Sequence, residues 1–381
     1  MKIEDLLARV LYEVLQHKVS IDVAFKRACR GKCAKTLEER EKLYELSREF
    51  VSDYLGLICI YGRDHSLRKL ARLWMSGYEE KLGEIHCRLS YQKWFVDKMI
   101  RLLGDEGIKI LDAMNRRNWW LRINTLLSSK EKVLRLLEGE GVIYEEDTDI
   151  WYMLRIIETP KPIRLLRVVK EYLAIPQDKA SVAVVEALGP KPGDLILDMS
   201  AAPGMKTSLI MMLTENRATV TAVDISISRS YKMKHLLRRL GVDTSKVLMI
   251  VSDSTIMNYK KKFDCVLLDA PCSNSGAIAK DPGIKIHLTE SKVGHYSSIQ
   301  KKLISKAVSL GEIIVYSTCS LMPEEGEDVI AGVMKYISRI ERALSWTSYG
   351  YPIMPQYREL MRTFPHKHLT DGFFMAKLIT E

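Results

Sequence analysis

At 381 residues the chain is too long for one compact core of ordinary size, and its 47% hydrophobic and 28% charged residues exclude wholesale disorder and fibrous repeats. Lys and Arg number 58 against 48 Asp and Glu, a formal charge of +10, which fits a polyanionic partner such as nucleic acid but equally a plain basic protein. No apolar run approaches the ~20 residues that span a bilayer, and the N-terminal MKIEDLLARVLYEVL is acidic and amphipathic rather than a signal segment, so a cytoplasmic location is expected.

In chain order, residues 1–85 read as a helical domain, with apolar positions such as Leu6, Leu7, Val10, Leu11 and Val14 at helical spacing. Its FKRACRGKCAK stretch places Lys26, Arg27, Arg30, Lys32 and Lys35 together, and two readings stand side by side, a solvated loop and an RNA-backbone contact. Seven cysteines (Cys29, Cys33, Cys59, Cys87, Cys265, Cys272 and Cys319) form no CxxC pair, so reduced thiols and no metal site are expected. Residues 86–170 begin as helix and turn into WWLRINTLLSSKEKVLRLLEGEGVIYEEDTDIWYMLRII, which predicts strand, helix and extended segments of a small α/β module. Trp119, Trp120 and Arg122 lie in its first strand, where aromatics serve as core or as stacking surface for bases.

From 171 to 381 the pattern becomes regular. LILDM, TVTAVDI, VLMIVSDS, FDCVLLDAP and GEIIVYSTC are short apolar runs between helical segments, which predicts a doubly wound, mostly parallel sheet with helices on both faces. Functional residues of such a sheet gather at the carboxyl ends of its strands.

Those ends carry Asp198, Asp224, Asp253, Asp269 and Cys319. SAAPGMKT, after Asp198, is not a phosphate-binding Walker loop, because Met205 and Ser200 stand where glycines are needed. Its small residues Ala201, Ala202 and Gly204 let the backbone approach an extended ligand, and Asp224 is placed to accept from ribose hydroxyls. A nicotinamide cofactor and S-adenosylmethionine both fit at this point.

The cysteines decide between them. Glu325 stands six positions after Cys319, where a cysteine phosphatase needs arginine. Two cysteines at neighbouring strand ends, one in DAPC and one in YSTCS, fit methylation of a pyrimidine at carbon 5. That carbon is a poor nucleophile until a thiolate adds at carbon 6. Cys319 would add, Asp269 would face N3, where a shared proton stabilises the accumulating negative charge, and Cys272 would assist release. A helix starting near Pro323 would aim its amides at the Cys319 sulfur, against the opposing charge of Glu324, Glu325, Glu327 and Asp328.

IPQDKAS, PKPGDLILDMSAAPGMKT, AVDISISRS, VSDS, LLDAPCSNSG, YSTCS and TDGFFMAKL, in that order, resemble the Nop/Sun (Fmu/Sun) family of RNA cytosine-5 methyltransferases. The resemblance implies a Rossmann-like S-adenosylmethionine-dependent core in which Ser200, Ala201, Ala202, Pro203, Gly204, Met205 and Lys206 contact the cofactor. Asp224, Arg229, Asp253 and Asp269 would complete that pocket. It implies Cys319 as nucleophile, Cys272 as the release residue and Lys206 between cofactor and base. RINTL resembles the family's RNA-recognition-like segment and implies substrate contacts by Arg122 and Asn124. The first ~80 residues resemble a NusB-like domain, which adds ribosomal RNA, with transfer RNA beside it, as the implied structured-RNA substrate. A non-catalytic RNA-binding or ribosome-assembly factor on the same fold is the alternative.

The sequence also departs from the family pattern. Ser200 stands where Cys is frequent, Met205 where a second Gly is usual, SNSG for Ser-Gly-Thr-Gly, and EEGED for Glu-Glu-Asn-Glu. His366 and His368 offer two metal ligands without a third and are given no role.

Overall fold

The computed structural model describes residues 2–31, 33–77, 83–260 and 262–380. They form two compact units, one of residues 1–117 with 277–289, the other of 118–276 with 290–381.

The first unit is helical. Ile3–His17 buries Leu6, Leu7, Val10, Leu11 and Val14, one stripe of an amphipathic helix, against Ile21–Cys29, Leu37–Tyr61 and Leu67–Met75. Thr36 caps the long helix by accepting from the Glu39 N–H at 3.1 Å, and the Glu39 carboxylate reaches back to the Lys35 N–H at 2.7 Å. The later helix Gly283–His287 belongs to this unit. Its buried Lys285 donates to the Ser52 carbonyl and hydroxyl at 3.1 and 3.0 Å. In the basic stretch Arg27 pairs with Glu13 at 3.1 Å and Arg30 ends its helix in the left-handed region. Lys32 lies outside the described residues.

The expectation of reduced thiols fails for four of the seven cysteines. Cys29 is bonded to Cys33 and Cys59 to Cys87, with Cα separations of 4.9 and 5.7 Å that suit a disulfide. The turn after Arg30 folds the first pair together, and two separate helices bring the second pair together, so spacing could not reveal them. Cys265, Cys272 and Cys319 are free. Among the described residues, Cys59, His86 and Cys87 gather three metal-ligating atoms within 4.8 Å of one another, but the two sulfurs are already bonded to each other.

The second unit holds two sheets. The smaller is antiparallel in the order β2-β3-β1-β4, from β1 (Trp119–Ile123), β2 (Ile143–Glu146), β3 (Met153–Glu158) and β4 (Ala174–Pro176), with helix Lys130–Gly139 between β1 and β2. The five predicted apolar runs become β5 (Leu195–Asp198), β6 (Thr219–Asp224), β7 (Val247–Val251), β8 (Phe263–Asp269) and β9 (Gly311–Thr318). These pair in parallel in the order β9-β8-β5-β6-β7. β10 (Arg339–Glu341), β11 (Ser348–Tyr349), β12 (Met361–Thr363) and β13 (Phe373–Ile379) extend the β9 side, with β13 antiparallel to β9 and to β10 and β12.

Strand order positions the site. From β5 the chain steps outward through β6 and β7, then returns to the other side of β5 as β8 and β9. The carboxyl ends of β5 and β8 therefore diverge into opposite crossovers and leave a crevice between them, the usual ligand position in such sheets.

Candidate active site

β5 ends on buried Asp198, whose carboxylate accepts from Thr207 Oγ1 at 2.7 Å. Burial pushes its pKa up to about 6, against the lowering effect of that hydrogen bond. The loop beyond it is tied down strand by strand: the Ala201 N–H donates to the Val223 carbonyl at 2.8 Å and the Ala202 N–H to Asp224 Oδ2 at 3.2 Å. Ser254 Oγ donates to the Met199 carbonyl at 2.6 Å. Gly204 has a φ of +100°, and a Cβ there would lie 2.7 Å from Met233 Cγ, so the turn that starts helix Met205–Leu213 requires glycine. Ser200 and Met205 are partly buried and Pro203 is exposed.

Asp224 is itself 4% exposed and also accepts from the Ser226 N–H at 2.9 Å. Arg229 lies 3.6 Å from it and donates to the Ala202 carbonyl. Asp253 accepts from the Thr255 N–H and hydroxyl, both at 2.8 Å, and the backbone bond holds its carboxyl below the usual range. Sequence reasoning passed over Ile225 and Ile256, which are 72% and 73% exposed just beyond Asp224 and Asp253. An exposed isoleucine carries no signal in a sequence.

At the end of β8, Asp269 receives Lys206 Nζ on Oδ2 at 2.6 Å and Ser317 Oγ on Oδ1 at 2.7 Å. The two cysteines come together, Cys272 Sγ 3.3 Å from Cys319 Sγ. Cys272 is 5% exposed, and its thiol is pushed well above the ordinary value by its hydrogen bond with Cys319, then by burial. Cys319 is only partly buried. Asn274 accepts from both sulfurs, at 3.0 Å from Cys319 and 3.6 Å from Cys272.

What holds the thiols is a carboxylate that sequence reasoning read only as an opposing charge. Glu325 is fully buried, accepts from the Ser273 N–H at 2.7 Å and from Gln300 Nε2 at 3.2 Å, and receives the hydroxyls of Ser273 and Ser320. It thus grips the residue after each cysteine. Its neighbour Glu327 instead pairs with buried Arg362 at 2.6 Å. The expected helix start near Pro323 is a single 3-10 turn, Pro323–Glu325, before the five-residue helix Glu327–Ala331, so little helix dipole reaches Cys319.

Gly276 closes the loop. Its N–H donates to the Cys319 carbonyl at 3.0 Å, and it accepts from the Gly372 N–H at 2.9 Å. Asp178 of IPQDKAS caps its helix through the Ala180 N–H at 2.9 Å and accepts from the Asp371 N–H at 3.2 Å. Motifs nearly 200 residues apart therefore meet, Asp178 on Asp371, one residue before the Gly372 that bonds Gly276.

Arg122 and Asn124 are not at a surface. Arg122 is 1% exposed and donates to Ser208 Oγ at 2.8 Å; burial lowers its pKa to about 10. Asn124 is 2% exposed and donates to the Tyr172 and Leu240 carbonyls, both at 3.0 Å. As placed, these side chains brace helix Met205–Leu213 and the backbone at Tyr172 and Leu240. His368 Nδ1 is engaged with the Phe364 backbone N–H at 2.8 Å.

Comparison with known proteins adds a family. The sequence model described as 16S rRNA methyltransferase RsmB/F matches residues 185–379, and that of the RsmF/B-like ferredoxin-like domain matches residues 91–163. The chain is 31% identical over 323 residues to the 25S rRNA (cytosine-C(5))-methyltransferase nop2 of Schizosaccharomyces pombe, covering 79% of this chain and 52% of that protein. It is 32% identical over 300 residues to ribosomal RNA small subunit methyltransferase B of Salmonella paratyphi C, covering 77% and 67%. The chain thus spans about half the length of the first of these relatives. The crystal structure of PH0851 shares the fold across 100% of this chain and 99% of that one, with a TM-score of 0.82 at 22% identity.

Proposed function

Because the chain belongs to the RsmB/F methyltransferase family, we propose that it is an S-adenosylmethionine-dependent RNA methyltransferase that forms 5-methylcytosine in a structured RNA, ribosomal RNA first and transfer RNA second. The observation that carries this reading is the pair of sulfurs 3.3 Å apart at the ends of adjacent strands, beside the Lys206–Asp269 ion pair.

The cofactor fits the crevice by its chemistry. Ser200 to Lys206 form a close-approach loop whose turn excludes a Cβ at Gly204. Asp224 and Asp253 bring carboxylate oxygens for ribose or amino groups, Arg229 braces the loop, and exposed Ile225 and Ile256 offer apolar surface to an adenine ring. When bound, S-adenosylmethionine supplies a methyl group on a sulfonium, ready for attack by a carbon nucleophile.

The residues of the chain make that nucleophile. The Cys319 thiolate adds to carbon 6 of the cytosine, and the ring electrons move to carbon 5. Asp269, oriented by Lys206 and Ser317, faces the N3 side, and the ammonium of Lys206 offsets negative charge that builds on the ring. After transfer the carbon 5 proton must leave and the carbon 6 bond to Cys319 Sγ must break. The proton passes to water, its bonding electrons re-form the ring double bond, and Cys319 departs as a thiolate; Cys272, 3.3 Å from that sulfur, assists this release by donating its S–H to the departing sulfur. Cys272, a buried thiol whose pKa is raised, keeps its proton and leaves the nucleophile's role to the more exposed Cys319.

We also propose that residues 1–85, 86–170 and 171–381 act as NusB-like RNA-binding, RNA-recognition-like and catalytic parts, and that the protein works in the cytoplasm; among the described residues no helix is long and apolar enough to cross a membrane. The test is incubation of purified protein with methyl-labelled cofactor and total RNA, followed by bisulfite sequencing. Label in cytosine carbon 5 is expected. RNA binding without incorporation would instead favour a non-catalytic assembly factor.

A further inference from the structure

Asn274 stands where the resembled family commonly has glycine, in the left-handed region at φ +61°. Asparagine tolerates that region better than most residues but is not required by it. Both its neighbours are locked: the Ser273 N–H on Glu325 at 2.7 Å, and Ser275 Oγ against Ser320 Oγ at 2.9 Å, with the Leu321 N–H donating to Ser275 at 3.0 Å. The side chain between them is thereby aimed at the sulfurs, 3.0 Å from Cys319 and 3.6 Å from Cys272.

We propose that Asn274 is a further catalytic residue, whose carboxamide holds Cys319 in position and stabilises it as the thiolate that attacks the base. The proposal deepens the function given above and rests on it. With the proton on sulfur, the amide oxygen accepts the S–H. When that proton leaves to water, a half-turn about the last side-chain torsion presents the amide N–H to the sulfur instead. Cys272, kept as a thiol by its buried position, donates its own S–H to Cys319 across the 3.3 Å gap. The thiolate then has two donors and no added charge nearby. An uncharged amide suits both states of the sulfur, whereas a carboxylate there would oppose ionisation and glycine would leave it to water.

The test follows Cys319 alkylation by iodoacetamide against pH in the full-length protein, resolved by peptide mass spectrometry, for wild type, Asn274→Gly and Asn274→Asp. Glycine fits φ +61°, so the first variant folds without backbone strain. Its alkylation midpoint is expected about one pH unit higher than wild type, from the loss of one hydrogen bond to a charged group; Asn274→Asp should move it further in the same direction. The pH profile of methyl transfer to a small-subunit rRNA transcript should shift with it. An unchanged midpoint in Asn274→Gly overturns the proposal. Wild-type protein that transfers no methyl group to any RNA removes the catalytic role of Asn274 together with the function above, while the alkylation midpoint still reports the amide contact on its own.

Discussion

Two sulfurs 3.3 Å apart cannot both ionise cheaply, and the hydrogen bond to Cys319 together with burial holds the Cys272 thiol protonated. Cys319→Ala should lose methyl transfer by about four orders of magnitude or more and form no covalent RNA complex. Cys272→Ala should accumulate one, seen as a slow band on a denaturing gel; the reverse pattern would exchange the two roles. Asp198 makes a separate prediction about pH. Its folded-state pKa of about 6 lies above the ordinary 3.8, so the native state binds the extra proton between those values and stability falls as pH rises through them. Asp198→Asn keeps an acceptor for Thr207 and loses that penalty. It should melt like wild type near pH 4 and be more stable by about 2–3 kcal/mol at pH 7, which thermal unfolding across that range would measure. Cys319, Cys272, Asp269 and Lys206 were legible because each sits in a motif at a strand end. The burial of Glu325, Arg122 and Asn124 was not legible, because a sequence shows charge and polarity but not burial. A buried carboxylate that accepts from two serines reads the same as a solvated one.

The elements around the site depend on close approach. A Cβ on Gly276 would lie 1.9 Å from the Gly372 carbonyl oxygen, so Gly276→Ala must push the cysteine loop off the Gly372 backbone. We expect a loss of about 2 kcal/mol and a larger fall in methyl transfer than in RNA binding, measured on the same preparation. In the helical unit, the Cys59–Cys87 bond closes a sequence separation of 28 residues. Replacing Cys59 by Ser should lower unfolding free energy by about 3–4 kcal/mol in a chemical melt under non-reducing conditions. Strands β5 to β9 were legible because each is a continuous apolar run bounded by turns, as buried parallel strands are, even though the edge strand β7 buries only Val247. The short strands β10 to β12 have two or three residues each, too few for any periodicity to register, and only the TDGFFMAKL motif marked β13.

For the molecule as a whole, a net charge of +10 and the proposed RNA substrate together imply affinity that falls steeply with salt. Filter binding to rRNA between 50 and 200 mM monovalent salt should give a linear log–log decline of roughly tenfold or more; a flat response would mean the charge faces something other than phosphate. The parallel core and its crevice followed from the sequence, since strand runs and strand-end residues are local features. The partition of the chain into units did not, because residues 277–289 lie between Cys272 and Cys319 in sequence yet belong to the helical unit. There Lys285 is buried against Ser52 and Ile286 packs on the helical core. The front end of this chain therefore cannot be replaced by a single splice: a chimera must replace the internal segment along with residues 1–117, or leave a lysine and an isoleucine stranded without their sockets.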